Sequence, residues 1–163
     1  MRHSFKPFGP EEAAFLSQAT GVDFSRTDFS SPLWLCVSAR DDEGQLMGLC
    51  GFEFKSYFDA YFSTAIRDPR CLTRRVLRAM FTAVFSHAVR VSAEIEPTNE
   101  DALGKAKRMG FEVEGYKRLA IEGRRDAFLL GMTKDTCRFL RAAPRARQGP
   151  GKGHFDGQHT QAP

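Results

Sequence analysis

Ser92-Ala-Glu-Ile-Glu-Pro-Thr-Asn-Glu-Asp-Ala-Leu-Gly-Lys-Ala-Lys-Arg-Met-Gly-Phe111 decides how this chain folds. Its first residues alternate apolar and polar side chains, the signature of a half-buried strand. Pro97 ends that strand, because it has no N–H to give to a ladder. Asn99 is placed to cap a helix through its side-chain oxygen, with Glu100 and Asp101 in the positive first turn. Ala102, Ala106 and Met109 give the helix an apolar side. Gly110 stops it as a left-handed C-terminal residue does, and Phe111 opens a new strand. The unit is therefore strand, capped helix, glycine stop, strand.

Working outward, the N-terminal side supplies four strands and two helices. His3 to Phe8 reads as a short strand, with Phe5 and Phe8 expected inside. Gly9-Pro10-Glu11-Glu12 opens a helix, since Pro fits the first turn and two acids complement the dipole. Ala14, Phe15 and Ala19 are expected on its inner side, and Gly21 ends it. Leu33–Arg40, the turn Asp41-Asp-Glu-Gly44 and Leu46–Phe54 form a hairpin. Tyr57–Ile66 is an aromatic-rich strand. Leu72–Val89 carries Leu72, Val76, Leu77, Met80, Phe81, Val84, Phe85 and Ala88 at helical spacing, a core stripe. Thr73 or Asp68 caps its start. After Phe111 the chain runs to Ile121, turns at Glu122-Gly-Arg-Arg and returns as Asp126–Thr133.

The quoted unit resembles the second half of the GCN5-related N-acetyltransferase family, whose pattern is Asn-x-x-Ala-x-x-x-Tyr-x-Lys-x-Gly-Phe. Asn99, Ala102, Arg108 (for the Lys), Gly110 and Phe111 fall on it. Glu114-Gly-Tyr116 and the strand from Asp126 to Met132 are similar to the family's closing hairpin. The resemblance implies an α/β (α+β) fold with a mixed, strongly bent sheet and helices on both faces. It also implies acetyl-CoA as cofactor, with the acetyl group lying where the strand at Tyr57–Ile66 splays from the strand at Val91–Glu96. The implied reaction is direct attack of an amine on the thioester, in which positioning and a base do the work.

Two departures bear on that activity. The family's frequent tyrosine, which reprotonates the leaving thiolate, falls on Ala106. The family's Arg/Gln-x-x-Gly-x-Gly/Ala cradle for the pyrophosphate corresponds to Arg67–Met80, where Thr73, Arg75 and Leu77 stand at the glycine positions. Arg70, Arg74, Arg75 and Arg78 crowd this helix start instead. They either hold phosphates through guanidinium groups or form a solvated face. Asn99 is carried over to the cofactor side with them. Asp59, Glu94 and Glu96, on or beside the splayed strands, are the candidate bases. For each, the plain alternative is a charged residue on the solvent-facing side of a strand.

Composition bounds the rest. With 163 residues and 42% hydrophobic content, one domain with a real core is expected over residues 1–141. Residues 142–163 are rich in Pro, Gly, Gln, His and Ala and read as a basic, disordered tail. The net charge of +4 arises entirely from Arg138 onward, where five basic residues face one acid. Such a tail either binds nucleic acid or an acidic partner, or simply solubilises the chain. No apolar run reaches the roughly 20 residues of a membrane helix, and the first residues lack the apolar core of an export signal. The four cysteines form no Cys-x-x-Cys pair and read as reduced core residues of a cytoplasmic protein. Cys36 and Cys50 are placed to face each other across a hairpin, as buried thiols rather than a disulfide. No spacing of His and Cys suggests a metal.

Two functions are therefore expected. One is an acyl-CoA-dependent N-acyltransferase with an arginine-based phosphate site, acting on a small-molecule or protein amine. The other is a non-catalytic structural or assembly protein of the same fold, for example a phage virion component that contacts other protein subunits.

Overall fold

The computed structural model describes residues 1–140, so the expected tail lies outside the described residues. Seven strands form one sheet: β1 Arg2–Ser4, β2 Trp34–Arg40, β3 Leu46–Phe54, β4 Asp59–Ile66, β5 Arg90–Ile95, β6 Glu112–Ile121 and β7 Arg125–Thr133. Three helices accompany them: α1 Pro10–Thr20, α2 Arg74–Val84 and α3 Glu100–Met109. The spatial order is β1-β2-β3-β4-β5-β7-β6. Every neighbouring pair is antiparallel except β4 with β5. That parallel seam lasts only from Asp59↔Arg90 to Tyr61↔Ser92. β4 stays in register with β3 as far as Ile66, and β5 with β7 as far as Ile95. Two half-sheets, each held by its own ladders, are thus joined by three residue pairs and part beyond them.

The sheet carries a core on each face. On one side α2 buries Leu77, Met80, Phe81 and Val84 against Phe52, Ala60, Val91 and Met132. The spacing of those four residues is the helical i, i+3, i+4, i+7 stripe, and each such burial is worth about 1.5–3 kcal/mol. Ala106 of α3 joins the same core. On the other side α1 and the loop after it pack Leu16, Phe24 and Phe29 against Cys36, Leu49 and Ala65. Phe29 packs tilted against Phe8 and edge-on against Trp34, with ring centroids 5.1 and 4.8 Å apart.

Several expectations need correcting. Phe5 is exposed, because β1 ends at Ser4 before reaching it, while Phe8 is buried. The inner side of α1 is Ala13 and Leu16; Ala14 and Ala19 face water. Burial of Ala13 and Leu16 against the core on this face sets the phase, and Arg40 pairs with Glu11 and Glu12 at 2.7 and 2.6 Å. The helix expected over 72–89 is only Arg74–Val84. A separate 3₁₀ turn, Pro69–Cys71, precedes it, so Asp68 caps the turn and Thr73 caps α2. Beyond Val84 the Ser86 hydroxyl bonds the Ala83 carbonyl, an alternative to the helical ladder. β4 starts at Asp59, and Tyr57 stands exposed in the turn before it.

The quoted stretch folds as read. Asn99 accepts from the Ala102 N–H at 3.1 Å. Gly110 caps α3 at φ 112°, and its N–H and that of Phe111 close the last turn. Cys36 and Cys50 do not face each other. The register sets Cys36 opposite Gly51, and the two thiols enter different cores. All four cysteines are buried, and burial pushes the Cys50 thiol up to about 12.

Candidate active site

The parting of β4 from β5 leaves β4 beyond Tyr61 and β5 beyond Ser92 without a strand partner on their facing edges. Backbone donors and acceptors along such an edge are available to an extended ligand. The gap opens into a cleft of about 950 Å³ between the end of α1, the diverging strands, α3 and the β6–β7 hairpin. The helix side of the cleft is apolar at Ala102, Ala106 and Met109.

At the apex, strand parity sorts the side chains. Ala60 and Phe62 point to the α2 core, so Tyr61 emerges on the α1 face. Ser92 and Glu94 of β5 emerge on the same face. The Tyr61 hydroxyl donates to Glu94 Oε1 at 3.3 Å across the opening seam. Lys117 Nζ, from β6, reaches over β7 and donates to the same oxygen at 3.0 Å. The Glu94 side chain is 17% exposed. Burial, and then the Glu94 charge, push the Tyr61 phenol above its ordinary value. The bond to Glu94 likewise holds the Lys117 ammonium against deprotonation. Carboxylate, phenol and amine therefore meet where the two half-sheets part.

The remaining charges of the cleft are paired in place. Glu96 meets Arg125 at 2.8 Å, and Arg125 also donates to the Gly21 carbonyl at 2.9 Å. Glu122 accepts from the Asp23 N–H at 3.0 Å. These contacts lace the end of α1 to the β6–β7 hairpin. Glu53 pairs with Lys55, whose ammonium lies 6.0 Å from the Tyr61 ring centroid. Asp101 pairs with Lys105 on α3.

The candidate residues separate into two groups. Glu94, Glu96 and Asn99 line the cleft. Asn99 spends its side-chain oxygen on the α3 cap. Asp59 sits at the joined end of the seam, outside the lining, where both its oxygens accept from Ser92 Oγ at 2.8 and 2.9 Å. Arg70, Arg74 and Arg75 also lie outside the lining. Arg70 forks onto Asp68, at 2.6 Å for its closest contact. Arg74, Arg75 and Arg78 are exposed, with no ion pair or hydrogen bond from their side chains among the described residues. The N–H groups of Arg74 and Arg75 stand ahead of the intrahelical ladder, since Thr73 takes up those of Val76 and Leu77.

The segment before α2 is rigid without glycine. The Arg67 and Asp68 N–H groups both donate to the Met47 carbonyl, at 2.8 and 3.0 Å. Cys71 is fully buried against Gly48, where an added Cβ would lie 2.4 Å from its sulfur. His3 Nε2 lies 2.7 Å from the Cys71 carbonyl oxygen.

Tyr61 and Lys117 were not among the candidates read from the sequence. Period-two alternation in β4 and β5 would have put Tyr61 and Glu94 on one face. It could not have brought in Lys117, two strands away. Among the described residues, no three or more His, Cys, Asp or Glu side chains are grouped to hold a metal. No described helix is long and apolar enough to cross a membrane.

The seven-stranded mixed sheet, its splayed parallel seam and the capped α3 are the fold of the GCN5-related N-acetyltransferases. No family model and no curated protein matches the sequence. Solved structures do match the fold. One is a spermidine N-acetyltransferase chimera from Vibrio cholerae, at 13% identity and TM-score 0.62, covering 86% of this chain and 100% of that one. Another is a mutant spermidine/spermine N-acetyltransferase from Vibrio cholerae, at 14% identity and TM-score 0.59, covering 82% and 96%. A third is the ribosomal-protein-S5-alanine acetyltransferase from Vibrio fischeri, at 14% identity and TM-score 0.57, covering 83% and 94%.

Proposed function

We propose that this protein is an acyl-CoA-dependent N-acyltransferase that moves an acetyl group to an amine by direct attack. The observation that carries the reading is the splayed β4–β5 seam with Tyr61 and Glu94 hydrogen-bonded at its apex. Acetyl-CoA supplies the activated acyl group, as the co-substrate. The free edges of β4 and β5 suit its amide-bearing arm, and the cleft is large enough for the arm and an acceptor. The exposed Arg74 and Arg75, with the leading N–H groups of α2, suit its pyrophosphate. They stand in for a glycine cradle whose positions in this chain hold Thr73, Arg75 and Leu77.

Glu94 takes the proton of the acceptor ammonium, so that a neutral amine attacks the thioester carbonyl carbon. Tyr61 keeps its proton and offers a hydroxyl at the apex of the seam. Ala106, buried on α3 and lining the cleft, has nothing to donate. Two of the structural neighbours are acetyltransferases of the polyamines spermidine and spermine. Here Glu53, Glu94, Glu96 and Asp101 are each paired with a base of the chain itself. Glu122, the fifth acid of the lining, accepts a backbone N–H and has no basic partner among the described residues, so five acids face four bases and leave one net negative charge, which suits an amine with one positive charge better than a polycation.

Calorimetry with acetyl-CoA tests the reading. Wild type binds, and Arg74→Ala with Arg75→Ala loses about 2–4 kcal/mol, because charged hydrogen bonds are worth about 1.5–3 kcal/mol each and add imperfectly. Silence from the wild type at millimolar ligand would refute it. That result would favour the second reading, a non-catalytic structural or assembly protein of this fold such as a phage virion component. Ala106 and the pre-paired acids are the observations behind that alternative.

A further inference from the structure

The acceptor end of the cleft already holds an amine. Lys117 Nζ lies 3.0 Å from Glu94 Oε1, the oxygen that also accepts from Tyr61. A substrate ammonium waiting to lose its proton needs that same contact. The other two lysines lining the cleft are held elsewhere, Lys55 by Glu53 and Lys105 by Asp101. Lys117 sits on β6 opposite Ala127, just before an irregular stretch that runs to Ile121. Ala127 has no side chain beyond Cβ to block the path across β7. The Lys117 side chain is 58% exposed, so its ammonium rests in the site without being locked there.

We infer that Lys117 is an acceptor in cis, acetylated on Nζ by the protein's own site. This rests on the acyltransfer reading above. The step is balanced: Glu94 takes one proton from the Lys117 ammonium, and the nitrogen lone pair forms the new N–C bond. The C–S bond of acetyl-CoA breaks and coenzyme A leaves as its thiolate, which takes up the amine's second proton through solvent, while Glu94 returns the first proton to water. The product amide carries no charge, so it releases Glu94 from its ion pair with β6. One chain then passes from a self-occupied acceptor site to an open one.

The experiment needs no knowledge of the natural acceptor. Wild-type protein is incubated with acetyl-CoA, and acetylation of each lysine is followed by peptide mass spectrometry. Lys107 and Lys134, both exposed, are the internal references. Lys117 is expected to react at least about tenfold faster than either, and Glu94→Gln should remove that advantage while leaving the references unchanged. The rate per chain should not depend on protein concentration. Separately, with no acyl donor present, NMR of isotopically methylated lysines should show Lys117 titrating above its ordinary range, and losing that shift in Glu94→Gln. Uniform acetylation, a rate that rises with protein concentration, or a Lys117 titration that Glu94→Gln leaves unchanged would each overturn the inference. Parallel calorimetry separates the two failures. Acetyl-CoA binding without selective labelling overturns only the role of Lys117, whereas no binding overturns the acyltransfer reading as well.

Discussion

Gly110 allows a strain effect and a packing effect to be measured apart. It stops α3 at φ 112° and ψ 12°, a conformation that costs an L residue about 1–2 kcal/mol. A Cβ added there would also lie 2.2 Å from the Thr136 carbonyl oxygen and 3.0 Å from its carbon. Those are backbone atoms and cannot swing aside. The segment is tied down by Cys137 N–H to Thr133 and Arg138 N–H to Met109, at 3.0 and 3.1 Å, and Cys137 is fully buried. Forcing it back adds an overpacking cost of about 1–3 kcal/mol. Gly110→Ala should therefore lose about 2–5 kcal/mol in denaturant titration. Gly44→Ala is the control: φ is 84°, but nothing lies within 4 Å of its Cβ, so only the strain of about 1–2 kcal/mol remains. If the two variants fall within about 0.5 kcal/mol of each other, the contact between α3 and residues 133–138 is not as described.

Asn99→Ala should cost about 1 kcal/mol in the same titration, because the Ala102 N–H loses its cap; an unchanged midpoint would place the start of α3 elsewhere. Burial holds the Cys36 and Cys50 thiols up at about 11 and 12, against 9.0 for a free thiol. The unfolded chain ionises first, so stability is full below pH 9 and falls above it, by up to about 1.4 kcal/mol per pH unit for each thiol. Cys50→Ala should flatten that slope in unfolding curves taken from pH 8.5 to 11, and an unaltered slope would contradict the assignment. Once an acceptor amine is in hand, Glu94→Gln should lower kcat by about 10²–10⁴-fold with its native melting temperature largely kept, and an active Glu94→Gln variant would remove Glu94 as the base.

Local signals determined much of the architecture. Pro97, Asn99 and Gly110 act on their own few residues through a missing N–H, a side-chain cap and a positive φ, so the β5–α3–β6 unit was legible from residue types alone. The stripe at Leu77, Met80, Phe81 and Val84 was legible for the same reason, since helical periodicity is a property of adjacent turns. The ends of elements were less so. α2 stops at Val84 although the apolar pattern runs on to Ala88, because Ser86 diverts a carbonyl and the pattern cannot show that. α1 turns Ala13 and Leu16 inward because they meet Phe24, Phe29 and Leu49 of other elements, which the helix's own sequence does not show.

Only the tertiary structure decided the site. Which acid among Asp59, Glu94 and Glu96 meets a phenol and an amine depends on where the parallel seam ends, and that is a register between strands far apart in sequence. Asp59 falls on the joined side and is taken by Ser92; Glu94 falls on the open side and meets Tyr61 and Lys117. The arginines in the first turns of α2 were visible as a cluster, but their freedom from partners was not. A charge run has the same composition whether it is paired or solvated, and only the three-dimensional neighbours of Arg74, Arg75 and Arg78 distinguish the two.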